Sequence, residues 1–221
     1  MVKTLPRNKY PEETRQKIME EALKLFLEKG YDETTVLDII ANLGGLTRGA
    51  FYHHFKSKDY VLEALFESLG GGVVPFEQAR NANVQNGLER VKLLLKLSLE
   101  SNIASTEIVK LTGMILSLME KPRFFYERHK SLLETAQLIE PMIEEGMADG
   151  SIRKGNAKAY AEILMLMVNH WMLPRMFPGA PEYFEDKGEL VYKMLEAIGF
   201  PAVDDEMGEL FYGNLEALDL N

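Results

Sequence analysis

The sequence predicts an all-α protein, with an N-terminal three-helix helix-turn-helix unit followed by a larger helical domain. Three observations carry this. Apolar positions recur at helical spacing along nearly the whole chain, and no segment alternates with the two-residue period of a strand. Short helical segments crowd into the first 70 residues, with a tight glycine turn between the second and the third.

Each element has its own signal. Pro11 followed by Glu12 and Glu13 suits a first helical turn, because proline tolerates that position and carboxylates complement the positive dipole end. Ile18, Ala22, Leu25 and Phe26 continue at helical spacing until Lys29-Gly30 closes the segment. Thr34 or Thr35 caps a second helix, VLDIIANL (36–43), which stops at Gly44-Gly45. Thr47 caps a third, RGAFYHHF (48–55), and Ser57 a fourth, KDYVLEALFESL (58–69), which runs into Gly70–Gly72. The stretch GGGVVPFEQARNANVQNG (70–87) breaks the composition and reads as a boundary between domains. Beyond it, apolar periodicity predicts helices at 86–102, 104–120, 122–147, 155–173, 182–199 and 204–218, with Pro141 expected to kink or split the third. The organisation expected is a reading domain over 1–57 and a helical body over 58–221, joined by the helix 58–69.

Composition excludes several function classes. The 221 residues contain no cysteine, so disulfides, zinc–thiolate sites and thiol catalysis are ruled out together. The N-terminal segment lacks the apolar core of a signal peptide, and no apolar run reaches the ~18–20 residues of a membrane span. A soluble, cytoplasmic protein without a membrane partner is expected. Net charge is −9, but it is unevenly spread. Residues 1–60 hold ten basic and nine acidic side chains, and the remainder fifteen and twenty-five. Local clustering of charge, rather than the total, decides whether a phosphate backbone is attracted.

The stretch GGLTRGAFYHHFKSKD (44–59) is the most informative. At about 100° per residue, Phe51 and Phe55 share one face with His54 close by, while Gly49 and His53 lie opposite, flanked by Ala50 and Tyr52. The predicted helix therefore buries two phenylalanines and presents a small residue, a methyl group and two polar aromatics. Gly49 permits close approach to a neighbouring surface. Arg48 in the first turn can reach a guanine edge bidentately, and the Ala50 methyl can meet a thymine methyl. Tyr52 and His53 can donate to phosphates, and Lys56 and Lys58 flank the next helix N-terminus, which also favours phosphate. A metal site is the weaker reading: adjacent histidines on a helix diverge, whereas chelating pairs need i, i+4 spacing. No metal and no cofactor is expected.

These residues resemble the N-terminal domain of the TetR family of bacterial transcriptional regulators. The resemblance covers residues 10–66 and rests on Ala22 and Phe26, Gly30-Tyr31, Thr34-Thr35-Val36, Ile39-Ile40-Ala41 and the run GGLTRGAFYHHFKSKDYVL. It implies that Thr35, Arg48, Gly49, Ala50, Tyr52, His53 and Lys58 stand at positions the family uses on a double-stranded DNA operator; the capping Thr47 and Lys56 complete the candidate set. Gly44 stands where the family commonly has alanine, and Ala50 where threonine or serine is frequent.

The resemblance also implies a regulatory and dimerisation body. A homodimer would pair through AKAYAEILMLMVNHWML (157–173) and PEYFEDKGELVYKMLEAIG (181–199), the first of which is apolar almost all round. Ten of the twelve methionines lie beyond residue 100, which suits either an adaptable pocket or an irregular core. Polar groups among apolar neighbours give the candidate contacts to a small apolar or amphipathic effector: Tyr126, His129, Asn169, His170 and Trp171, with Met114 on a helix face shared by Leu111 and Leu118. The reading is a repressor released from a palindromic operator by that effector. The alternative is a DNA-binding or architectural protein without an effector, controlled by a protein partner. An enzyme is not expected, since no nucleophile–base, metal or phosphate-loop constellation occurs.

Overall fold

A computed structural model describes residues 11–68, 73–118, 122–174 and 176–218. Among these the chain is helical throughout, with eleven α-helices and one π-helical turn. It divides into two compact units, Met1–Leu69 and Gly70–Asn221. Among the described residues, no helix is long and apolar enough to cross a membrane.

The first unit holds α1 (Pro11–Lys29), α2 (Val36–Asn42), α3 (Arg48–His54) and α4 (Lys58–Ser68). Its α1 packs along α4 and touches α2 and α3. The core they share is Ile18, Met19, Ala22, Phe26, Ile39, Phe51, Phe55, Val61, Leu62 and Leu65. Thr34 and Thr35 divide two tasks. The fully buried Thr34 hydroxyl donates to Gly30 O at 2.7 Å, sealing the end of α1. Thr35 caps α2 in a reciprocal box with Asp38.

The second unit holds α5 (Val73–Asn81), α6 (Gly87–Asn102), α7 (Thr106–Leu118), α8 (Pro122–Asp149), α9 (Ala157–Leu166), the π-helical turn Met167–Trp171, α10 (Pro181–Ala197) and α11 (Asp205–Ala217). The long α8 packs against α6 and α9, while α5 and α11 lie on α6. One apolar cluster joins them, including Val91, Leu94, Ile139, Ile143, Leu164, Leu195 and Phe200.

Three sequence expectations change here. The stretch read as a bare boundary contains helix α5, whose Ala79 is fully buried. Its Pro75 falls in the first turn, where a missing N–H costs nothing. The Arg90 guanidinium caps α5 through the carbonyls of Ala79, Arg80 and Ala82 and pairs with Glu145 at 2.8 Å. Second, α8 runs through Pro141 as a single helix. Interior proline costs about 3 kcal/mol, but Ile139, Met142 and Ile143 around it are all buried in the cluster. Third, the segment expected as one helix over 155–173 changes pitch at Met167.

Backbone contact sets the crossing of α6 and α8. A Cβ at Gly87 would lie 2.1 Å from Gly146 N and 2.6 Å from its Cα. The approach is fixed by Asp149, whose carboxylate accepts from Gly87 N at 2.8 Å, and by the Ser151 hydroxyl, which accepts from Leu88 N at 3.2 Å. Gly87→Ala should therefore force two backbones apart and destabilise the protein by about 1–3 kcal/mol, as overpacking does. Gly113→Ala meets nothing within 4 Å and should stabilise by about 0.4–1 kcal/mol through the unfolded chain. Denaturant unfolding of the two variants checks both signs.

Candidate nucleic-acid interface

The turn between α2 and α3 is made by Gly44 and Gly45 at φ +44° and +95°. Side chains rarely adopt such values, so the pair lets the chain reverse tightly. Thr47 then caps α3, its hydroxyl accepting from Ala50 N at 3.1 Å. The helix is anchored by Phe51 (fully buried) and Phe55 (4% exposed), with Arg15 lying over the Phe55 ring at 5.2 Å. His54 is half-buried; burial first, and then the neighbouring His53, push its pKa down, which favours a neutral ring. The outer side carries Arg48, Gly49, Tyr52 and His53, all exposed, with Ala50 half-buried at its edge. Exposed Thr35 and Thr47 flank it at the two helix starts, and Lys56 follows on the adjoining turn, its ammonium 5.5 Å from the Tyr60 ring centre.

Lys58 stands differently. Its ammonium donates to the carbonyls of Tyr31 (2.6 Å), Thr34 (2.9 Å) and Asp32 (3.2 Å) and lies over the Tyr31 ring at 4.2 Å. The next residue, Asp59, accepts from the Tyr31 hydroxyl. Burial and that carboxylate hold the Tyr31 phenol well above its ordinary pKa. Two consecutive residues of α4 thus grip the α1–α2 connection. Sequence reasoning, which read Lys58 as a phosphate contact, could not see that three carbonyls converge on it.

In the second unit the candidate effector residues cluster in part. His129 of α8 and His170 of the π-helical turn meet edge to face, ring centres 5.8 Å apart. Asn169, Nδ2 to Sδ, sits 3.7 Å from Met165. Trp171 offers its carbonyl to the Lys187 ammonium. Tyr126 stands apart on the surface at 67% exposure, and Met114 of α7 is half-buried. Three of the six therefore fall on one π-helical turn, where the Met172 N–H reaches back five residues to Met167 O at 3.0 Å. Such turns concentrate at functional sites. Sequence reasoning missed Lys187. It is 3% exposed, and burial lowers its pKa.

A capped short helix presented by a glycine turn, with aromatic anchors inward and a cation and polar aromatics outward, defines a helix-turn-helix DNA-binding module. Residues 18–65 match the sequence profile described as bacterial regulatory proteins of the tetR family. The HTH-type transcriptional repressor KstR2 of Mycolicibacterium smegmatis is 26% identical over 144 residues, 65% of this chain and 69% of that one. The HTH-type transcriptional regulator TtgR of Pseudomonas putida is 47% identical over 58 residues, 26% of this chain and 27% of that one. Against TtgR, then, the chain spans about a quarter of the relative's length. The fold is shared with a transcriptional regulator from Cytophaga hutchinsonii (TM-score 0.56, 18% identity, 93% of this chain and 98% of that one). A TetR-family regulator from Pectobacterium atrosepticum shares it too (TM-score 0.54, 20% identity, 97% and 94%). The first unit is therefore similar to the DNA-binding domain of TetR-family transcriptional regulators, and the whole chain shares the fold of such proteins.

Two expectations come from this geometry. Lys58→Met should cost about 1–3 kcal/mol in denaturant unfolding, because three carbonyls lose a charged donor, while leaving the salt dependence of DNA binding nearly unchanged. Lys56→Ala should do the reverse, reducing the salt slope by about one with little loss of stability. The α2 cap predicts a pH effect. Hydrogen bonds from the Thr35 hydroxyl and backbone, then Lys29, lower the Asp38 pKa from 3.8 to about 2. Its folded value lies below its unfolded one, so the stabilisation is complete above pH 3.8 and is lost as pH falls through about 2. A carboxyl titration by NMR should place the Asp38 midpoint near the lower value, and Thr35→Val should raise it.

Proposed function

We propose that the protein is a cytoplasmic homodimeric repressor that binds a near-palindromic operator and is released by a small apolar or amphipathic effector. The observation that carries the DNA half is the division of α3: Phe51 and Phe55 buried, with Arg48, Gly49, Tyr52 and His53 exposed together. Arg48 reads a guanine edge, Ala50 meets a thymine methyl, and Tyr52, His53 and the first turns of α2 and α3 settle on phosphates. That M. smegmatis KstR2 is a repressor supports repression as the sign of control.

One reader binds a half-site weakly, and two need a spacing of about 34–36 Å. The second copy is supported by α10, where Tyr183 (42%), Leu190 (47%), Met194 (42%) and Ile198 (36%) form an exposed apolar stripe at heptad-like spacing. Exposed apolar stripes of this kind mark association surfaces. For the effector, His129 of α8 meets His170 of the π-helical turn, and Met167 and Met172 at the ends of that turn belong to the apolar cluster. An effector lowers operator affinity by its differential affinity for the dimer whose readers are wrongly spaced.

Titration of the protein against a duplex carrying its own upstream region, beside a scrambled duplex, at two salt concentrations, tests the reading. Selective, salt-sensitive binding is expected. Arg48→Ala should weaken it by about 1–3 kcal/mol, roughly ten- to hundredfold, and relax specificity at one base pair. Tyr52→Ala should weaken it without that relaxation. Equal affinity for both duplexes in the native protein would sink the reading of a site-specific regulator.

A further inference from the structure

The most unusual group in the second unit is the Lys187 ammonium. It lies 4.7 Å from the ring centre of Phe177, 4.8 Å from Tyr183, 5.2 Å from Phe184 and 5.3 Å from Trp171. The rings come from three segments: the π-helical turn, the connection that follows it, and α10 itself. The ammonium also donates to Trp171 O. Among the described residues no carboxylate pairs with it, although Glu182, Glu185, Asp186 and Glu189 stand exposed on the same helix. The charge is held by aromatic faces, in preference to the acidic partners its own helix supplies.

The box is built, not incidental. Phe177 is placed by a turn in which the N–H groups of Met176 and Phe177 donate to Leu173 O at 3.0 and 3.2 Å. Gly179 lets the connection close over Tyr183, since a Cβ there would lie 2.2 Å from the ring's Cδ1. Trp171 ends the π-helical turn, which leaves its carbonyl facing Lys187. Phe177 and Tyr183 are 44% and 42% exposed, so two walls reach the surface while Lys187, which they cover, is 3% exposed.

A lysine ammonium is a poor occupant for such a site. It is compact and strongly hydrated, and only part of its hydration is replaced by one carbonyl and four ring faces. An alkylated ammonium has weaker hydration and fewer N–H groups to leave unsatisfied, none when quaternary, and ring boxes of this kind suit it better. We propose that the aromatic box of Trp171, Phe177, Tyr183 and Phe184 is an alkylammonium-binding site, with Lys187 as its built-in occupant, and that an external alkylammonium group takes the rings as Lys187 swings out. Lys187 lies on the α10 stripe with Tyr183, Leu190 and Met194, so its release puts a charge onto that apolar surface. This regulatory consequence rests on the homodimer reading above; the binding site itself does not.

Trp171 is the chain's single tryptophan, so its emission reports on the box directly. The experiment is a titration of the full-length protein with tetramethylammonium chloride against sodium chloride at matched ionic strength. Native protein should show a saturable change in Trp171 emission with the organic cation alone. Lys187→Ala removes the internal competitor, so its half-saturation should fall about tenfold, as expected when the competent state becomes the populated one. Tyr183→Leu should abolish the response in both backgrounds. A native protein that responds identically to both salts overturns the proposal whether or not Lys187→Ala folds. So does a folded Lys187→Ala, verified by circular dichroism, that binds no tighter than native. Operator titration without tetramethylammonium keeps the two readings apart: loss of DNA selectivity with the emission response intact removes the regulatory use and leaves the site.

Discussion

Helices of seven residues are too short to persist in water, because nucleation costs more than so few hydrogen bonds return. Both α2 and α3 are of this length. The reading surface therefore exists only as far as Phe51, Phe55 and Ile39 are drawn into the core with Ile18, Phe26 and Leu62. Burial does two things at once for α3. It supplies the stability the helix lacks, and it fixes the rotation that leaves Arg48, Gly49, Tyr52 and His53 outward. Capping by Thr35 and Thr47 refines the ends, but a cap is worth only about 1 kcal/mol and could not hold either helix alone.

Lys58 and Asp59 extend the same constraint to α4. A charged donor shared among three carbonyls, with its neighbour accepting from Tyr31, ties the first turn of α4 to the connection entering α2. The body solves its own placement problem by other means. There the crossing of α6 and α8 is set by Gly87 and Gly146, which bring two backbones into contact where side chains would separate them. Arg90 closes the end of α5 and pairs with Glu145 of α8 from the same guanidinium.

How much of this was legible in the sequence follows the range of the interactions. Helical period, caps and the inward–outward split of α3 are local, so Phe51 and Phe55 could be set apart from Tyr52 and His53 by spacing alone. The same logic failed wherever partners came from distant segments. Lys58 read as a phosphate contact, because the carbonyls that hold it lie 24 to 27 residues away. The composition break over 70–87 read only as a domain boundary, yet Ala79 within it is buried on helix α5. Pro141 suggested a kink or a split, but the helix is continuous through it, with buried neighbours on both sides. The change of pitch at Met167 has no composition signal that periodicity could register.

Lys187 shows why an ordinary pattern can conceal an unusual site. By spacing it belongs to the stripe of Tyr183, Leu190 and Met194, and a lysine there would normally extend its ammonium to water. Instead the side chain turns toward Trp171, Phe177 and Phe184, which keeps the charge off the apolar surface. The arrangement holds only while the rings offer the ammonium more than water and the nearby carboxylates do. Among the described residues no carboxylate pairs with this buried charge, which exchanges hydration for cation–π contacts worth about 2 kcal/mol or more each when desolvated. In the proposed exchange an external alkylammonium tips that balance, and the charge presented beside the α10 stripe changes with it.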